Sequence, residues 1–288
     1  MDDTFFRSPS EVTMKRTAPL LATAAILALS LSACGSSGSS TSASESGGTE
    51  GSAETGATLK KVQDSGVLTV GTEGTYRPFS FHEGDELTGY DVEVIEAVGE
   101  KMGVEVKFQE TQWDAIFAGL DAGRFDVIAN QVSINPEREE KYLFSEPYTV
   151  STGVVVTKSD NSDITSFQTL KGKTTAQSLT SNFYETAKDA GAKVEPVEGW
   201  AQSITLLKQG RVDATVNDKL TFLDAQKTNP DDSIKIAAES EEQSKSAVAL
   251  RKDSPELAKA IDSALEELRA DGELAKISEK YFGEDVSK

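Results

Sequence analysis

The chain has 288 residues, 37% of them hydrophobic and 27% charged, enough for one large or two ordinary folding units with real cores. Its net charge of -19 argues against nucleic acid or an anionic membrane surface as partner, because both require clustered Lys and Arg. One cysteine and one histidine allow no internal disulfide and no ordinary zinc site.

Met14-Lys15-Arg16 opens a positive segment, and Leu20 to Leu31 is an apolar run too short to span a bilayer comfortably. Leu31-Ser32-Ala33-Cys34-Gly35 then resembles the bacterial lipobox, in which cleavage precedes a cysteine that becomes lipidated. An ordinary secretory signal with an incidental cysteine is the alternative. Asp2, Asp3 and Glu11 suit a signal peptide poorly, so synthesis is expected to begin at Met14. Residues 35–58 are Gly, Ser, Thr, Ala and Glu without period, which predicts a flexible tether, and the folded part is expected from Leu59.

Val67–Gly71 is a short apolar run closed by glycine, a buried strand. Val94, Ile95, Val98 and Met102 follow at helical spacing, Val104–Phe108 alternates as a strand, and Thr111 with Asp114 resembles a capping box before a helix carrying Ile116, Phe117 and Leu120. Phe125–Ala129 reads as the next buried strand, ending in a polar loop at Asn130-Gln131. The alternation implies a parallel sheet with right-handed crossovers. Arg138 stands beside a helix start, where the dipole repels a cation. Its planar fork there is a ready clamp for a carboxylate.

The pattern repeats in different residues. Strands are expected at Val154–Thr157, after Leu170-Lys-Gly-Lys, at Val194–Val197, Val212–Val216 and Ala247–Leu250. Helices are expected at Phe183–Ala190, Ile204–Leu207 and Leu220–Gln226, then from a capping Ser254 with Pro255 through Leu257, Ile261, Leu265 and Leu268, and finally to Tyr281. In open α/β sheets ligands bind outside the carboxyl ends of strands, so two such units facing each other would form a cleft. His82 has no partner base, nucleophile or metal ligand in view and reads as structural or exposed.

Gly71-Thr-Glu-Gly-Thr-Tyr-Arg-Pro-Phe79, Leu87-Thr-Gly-Tyr-Asp-Val-Glu93, Trp113-Asp-Ala-Ile116, Phe125-Asp-Val-Ile128, Asn135-Pro-Glu-Arg138, Phe144-Ser-Glu-Pro-Tyr148 and Arg211-Val-Asp-Ala214 together resemble the family 3 solute-binding proteins of polar amino acid ABC transporters. The likeness covers Leu59 to Lys288. Asn130-Gln131, Lys141-Tyr142, Pro147-Tyr148-Thr149 and the C-terminal segment from Ser278 look most like the L-cystine-binding members.

The resemblance implies an α/β, two-lobed periplasmic-binding-protein-like fold, each lobe a mostly parallel sheet flanked by helices with the cleft between. Lobe 1 would span 59–151 and 247–288, lobe 2 would span 152–246, and the crossings would lie near Ser151 and Ser246. It further implies that Arg138 grips a ligand carboxylate, with Ser133, Thr180 and Ser181 at carboxylate-binding positions and Asn182 a weaker candidate. Asp218 would take the ammonium; capping the helix beginning near Lys219 is the plain alternative. Tyr76 and Trp113 would sandwich the ligand side chain; core packing is the plain alternative for Trp113. Glu73 would meet the ammonium or a polar side chain, or be a solvated loop charge. Thr180 and Asn135 depart from the glycine and threonine frequent at those places.

No cofactor, metal or catalysis is implied. The expected protein is a lipid-anchored monomer on the outer face of the cytoplasmic membrane. It would bind L-cystine, glutamine or another polar amino acid and deliver it to an ABC permease. A dehydratase on the same fold, a receptor ectodomain and an adhesin are the rival readings.

Overall fold

The computed structural model describes residues 57–288. The positive segment, the lipobox with Cys34 and most of the tether lie outside the described residues. Among the described residues no helix is long and apolar enough to cross a membrane.

Helix α1 (Ala57–Ser65) leads into β1 (Val67–Thr72), and a small antiparallel sheet follows from β2 (Thr75–Tyr76), β3 (Ser80–Glu83) and β4 (Glu86–Thr88). Then come α2 (Tyr90–Met102), β5 (Glu105–Glu110), α3 (Trp113–Asp121), β6 (Val127–Ser133), α4 (Pro136–Lys141), β7 (Tyr142–Phe144) and β8 (Thr149–Lys158). The chain continues through β9 (Thr174–Gln177), α5 (Asn182–Asp189), β10 (Lys193–Pro196), α6 (Trp200–Lys208), β11 (Ala214–Asp218) and α7 (Lys219–Thr228). It closes with β12 (Ile234–Arg251), α8 (Pro255–Ala270) and α9 (Glu273–Phe282).

The main sheet has the order β10-β9-β11-β8-β12-β6-β1-β5. Strands β5, β1 and β6 are parallel at one end, and β10, β9 and β11 are parallel at the other. The expected strand–helix–strand alternation therefore yields two half-sheets. They are joined by β8 and β12, which pair with each other antiparallel.

Each half-sheet is apolar on both faces. Val127 and Ala129 of β6 pack with Val70, Ile95 and the α8 residues Ile261 and Leu265, while Ile128 and Val132 turn to Trp113, Ile116, Leu120 and Phe125. In the other half Val154 and Val156 meet Leu207 and Phe222, and Val155 meets Leu170, Ala187 and Val216. This is the period-two alternation of a sheet covered by helices on both sides. Gly71 admits that packing, since a Cβ there would stand 2.5 Å from the Phe125 ring.

Local readings differ from the structure where a side chain found a distant partner. Thr111 and Asp114 do not cap α3, whose N-cap is Gln112 without a side-chain bond. Asp114 instead accepts hydrogen bonds from Thr180 in the other half. Ser254 precedes α8 as expected but does not cap it, because its hydroxyl is taken up by the Asp253 carboxylate and the Thr58 hydroxyl, each at 3.0 Å. The expected short strand Ala247–Leu250 is the end of an 18-residue β12. Polar Glu239–Lys245 masks that strand in the sequence, because it bridges the halves where there is little core to face.

Candidate functional site

Strand β6 runs on past Ala129 and is buried throughout, so Asn130 and Gln131 belong to the strand rather than to a loop. Their polar groups are satisfied internally. The Asn130 Oδ1 accepts from the Thr72 hydroxyl and the Glu73 N–H, both at 2.9 Å, and its Nδ2 donates to the Glu73 carboxylate at 2.7 Å. Gln131 has a φ of 50°, and Asp91 at the start of α2 accepts from both its backbone N–H and its Nε2, at 2.7 and 2.6 Å. The same Nε2 reaches Thr149 Oγ1 at 2.9 Å.

These residues back a cavity of about 350 Å3 between the half-sheets. Glu73, Tyr76, Trp113, Asn130 and Gln131 line it from the first half. Gln177, Ser181, Asn182, Phe183, Trp200 and Asn217 line it from the second. The volume lies within the range usual for small-molecule sites, roughly 300 to 1,000 Å3. Four aromatic rings with amides and a carboxylate suit a ligand with an apolar body and charged ends.

A second cavity of about 300 Å3 adjoins it, with Ser181 and Asn182 on the walls of both. Arg138 and Thr180 line this one. Arg138 is the only buried Lys or Arg among the described residues. It sits in the first turn of α4, which Asn135 caps by accepting from the Arg138 N–H at 2.8 Å. Its guanidinium donates to the carbonyls of Ser133 at 2.9 Å and Thr180 at 3.2 Å, and lies 5.4 Å from the Trp113 and Phe117 ring centres. Burial brings it down to about 10, which leaves it charged at neutral pH.

Ser133 and Asp218 line neither cavity. The Ser133 hydroxyl accepts from Ser244, and the Asp218 carboxylate accepts from the Ser151 hydroxyl at 2.7 Å while capping α7 at the Leu220 N–H, 2.8 Å away. Asp218 thus holds the capping position, directly behind Asn217. His82 is exposed and pairs with Glu110 at 3.0 Å.

Three carboxyls around the cleft have no basic partner within salt-bridge distance among the described residues, and burial raises each. Glu73 and Asp91 are pushed up to about 7 and Asp218 to about 6. Hydrogen bonds from Asn130, Gln131 and Ser151 respectively offset part of that rise.

The halves also touch directly. Thr180 bonds Asp114 through its hydroxyl at 2.7 Å and its N–H at 3.2 Å. The Tyr76 hydroxyl donates to Asn217 at 3.2 Å and accepts from Thr221 at 3.3 Å. Arg77 reaches Asp224 at 3.4 Å. Trp200, Phe183 and Gln177 escaped the sequence reading as site residues, whereas Asn217 lies in the polar strand end Val216-Asn217-Asp218 that the sequence does mark. Trp200, one of two tryptophans, was the available signal, one residue past a helix-breaking glycine.

Two half-sheets joined by a pair of crossing strands, with a ligand-sized cavity between, define a two-lobed binding clamp. The chain belongs to the bacterial extracellular solute-binding proteins, family 3, whose profile matches residues 68–284. It is 55% identical over 229 residues to an L-cystine-binding protein of Bacillus subtilis (strain 168), covering 79% of this chain and 85% of that one. The L-cystine solute receptor of Neisseria gonorrhoeae, solved unliganded and open, is 50% identical over 80% of this chain and 99% of its own, with a TM-score of 0.56. An ancestral arginine-binding protein bound to arginine is only 38% identical, over 76% and 99%, yet scores 0.71.

Proposed function

We propose that this protein is the extracytoplasmic substrate-binding component of an amino acid ABC importer. It captures L-cystine, or a similar polar amino acid, by lobe closure and delivers it to the permease. The observation that carries this is the cavity itself, walled by Tyr76 and Trp113 from one half and Phe183 and Trp200 from the other. A ligand held there makes its full set of contacts only when the halves are together, so binding shifts the population toward closure.

In this reading Arg138 takes the α-carboxylate, which replaces the Thr180 carbonyl as a guanidinium partner, while Ser133, Thr180 and Ser181 surround it. Asp218 takes the α-ammonium. Lobe 1 comprises 59–151 and 247–288 and lobe 2 comprises 152–246, with bending near Ser151 and Ser246. Asn130 and Gln131 act by fixing Glu73 and the floor of the cavity. Cys34 carries the lipid anchor after cleavage, residues 35–58 are the tether, and the protein acts as a monomer. The choice of cystine rests on the two similar proteins named for it.

Thermal unfolding in the presence of each of the twenty amino acids and L-cystine tests the reading. A ligand at 100 times its dissociation constant adds about 2.7 kcal/mol, a clear rise in midpoint. The largest rise is expected with L-cystine. A rise only with glutamine would move the ligand, and no rise with any amino acid would sink the reading.

A second reading, a dehydratase on this fold, is favoured by one observation: a carboxyl poised near 7 on the cavity wall is a competent general acid. Conversion of a prephenate-like acid to its aromatic product, with loss of both carbon dioxide and water, would establish it. Loss of that turnover in Glu73→Gln would assign the acid.

A further inference from the structure

Helix α6 begins at the cavity. Its N-cap is Gly199, which has no side chain to satisfy the first N–H groups, and Trp200, Ala201 and Gln202 of its opening turn all line the wall. The first N–H groups of a helix have no intrahelical acceptor, and the dipole there favours negative charge. The Gln202 side chain is occupied in accepting from the Glu198 N–H at 3.0 Å, so it does not cover the helix end.

Gln177 ends β9 on the same wall. It is only 3% exposed, and its Nε2 is buried with no hydrogen-bond partner among the described residues. An unpaired buried amide is costly to leave unsatisfied, and a group aimed at a ligand recovers that cost on binding. Ser203 of α6 joins the wall beside it, its hydroxyl within reach of the Gly199 carbonyl at 3.1 Å and the Ala176 carbonyl at 3.3 Å. Exposed Glu198 stands at the edge of this group. Arg138, by contrast, lines the neighbouring cavity, so this set of donors is separate from the guanidinium.

We infer that Gln177 and the N-terminal N–H groups of α6 form a second carboxylate subsite, which receives the far end of a ligand carrying two carboxylates. The inference rests on the proposed binding of a cystine-like amino acid and defines the class within it. The ligand is two amino acid units joined through their side chains. One unit is held at Arg138, and the distal carboxylate lies on Gln177 and the helix end. The distal ammonium faces Glu198. The aromatic rings between the two ends enclose the linking atoms. A single small amino acid leaves this subsite unfilled.

Titration calorimetry of the wild-type protein with three disulfides tests this. L-Cystine has both distal charges. The mixed disulfide of L-cysteine with cysteamine lacks the distal carboxylate, and that with 3-mercaptopropionate lacks only the distal ammonium. The cysteamine compound is expected to bind at least about 10-fold more weakly than L-cystine, because it leaves the donors unpaired. The mercaptopropionate compound should be weakened less. In Gln177→Leu, with folding checked by circular dichroism, the L-cystine to cysteamine-disulfide ratio should fall below about 3-fold. Equal wild-type affinity for all three would overturn the subsite and leave amino acid binding standing. Binding of none would overturn both. A ratio unchanged in Gln177→Leu would overturn the role of Gln177.

Discussion

Asp114 and Thr180 hold each other across the cleft, the Thr180 hydroxyl donating to Asp114 Oδ1 at 2.7 Å and its backbone N–H to the same oxygen at 3.2 Å. The Thr180 carbonyl at the same time accepts from Arg138 at 3.2 Å. One residue of the second half is therefore bound to two of the first. Thr180→Val keeps the shape and removes the hydroxyl bond. Ligand affinity should fall by roughly 3- to 10-fold through faster dissociation, while stability of the ligand-free protein changes little. Stopped-flow dissociation rates check this, and an unchanged rate would show that the bond is incidental to closure.

Arg138 is buried between two rings with two carbonyl partners, so its charge is positioned before any ligand arrives. Arg138→Ala should lower amino acid affinity by about 100-fold or more, the usual consequence of removing one member of a buried charge pair. Calorimetry that still gave micromolar binding would reassign the carboxylate position.

Glu73, Asp91 and Asp218 titrate near 7, 7 and 6 because burial disfavours their charged forms. The folded protein then binds more protons than the unfolded chain between about pH 4 and 7, so ligand-free stability is greatest at the acid end and declines as pH rises through that window. Binding of an ammonium should run the other way, tightening by about 10-fold from pH 5 to 7.5 as the carboxylates ionise. Urea unfolding and calorimetry at four pH values test both trends. Asp218→Asn should flatten the binding profile, and a wild-type profile already flat would remove the carboxylates from ammonium recognition.

Asp91 holds Gln131 at a φ uncommon for a residue with a side chain. Asp91→Ala leaves the buried Gln131 N–H without an acceptor and its Nε2 with Thr149 alone, and should cost roughly 2 to 4 kcal/mol in urea unfolding. Asp91→Asn should cost less, since one carbonyl oxygen remains. Equal stability of wild type and Asp91→Ala would mean that Gln131 finds other partners.

Cys34 lies outside the described residues, and its role rests on Leu31-Ser32-Ala33-Cys34. Cys34→Ala should release the protein from the membrane to the soluble fraction of producing cells, because diacyl anchoring needs that thiol. Membrane association unchanged in the variant would exclude lipidation there.

The sequence by itself determined the α/β half-sheets and the family. Both are written in local patterns, as in Val67–Gly71 before a helical face at Val94, Ile95 and Val98, or in motifs such as Asn135-Pro-Glu-Arg138. What it could not determine depends on partners far apart in the chain. Asp114 reads as a local cap until folding brings Thr180, 66 residues on, within reach. Asn130 and Gln131 read as a polar loop because Glu73 and Asp91, which satisfy them inside a strand, come from other elements. The distal end of the cavity was likewise invisible. Gln177 closes one strand and Trp200 opens a later helix, and only the crossover that packs α6 against β9 and β11 places them on one wall. A hydrogen bond needs two groups within about 3 Å, and for polar side chains tertiary packing chooses the second group.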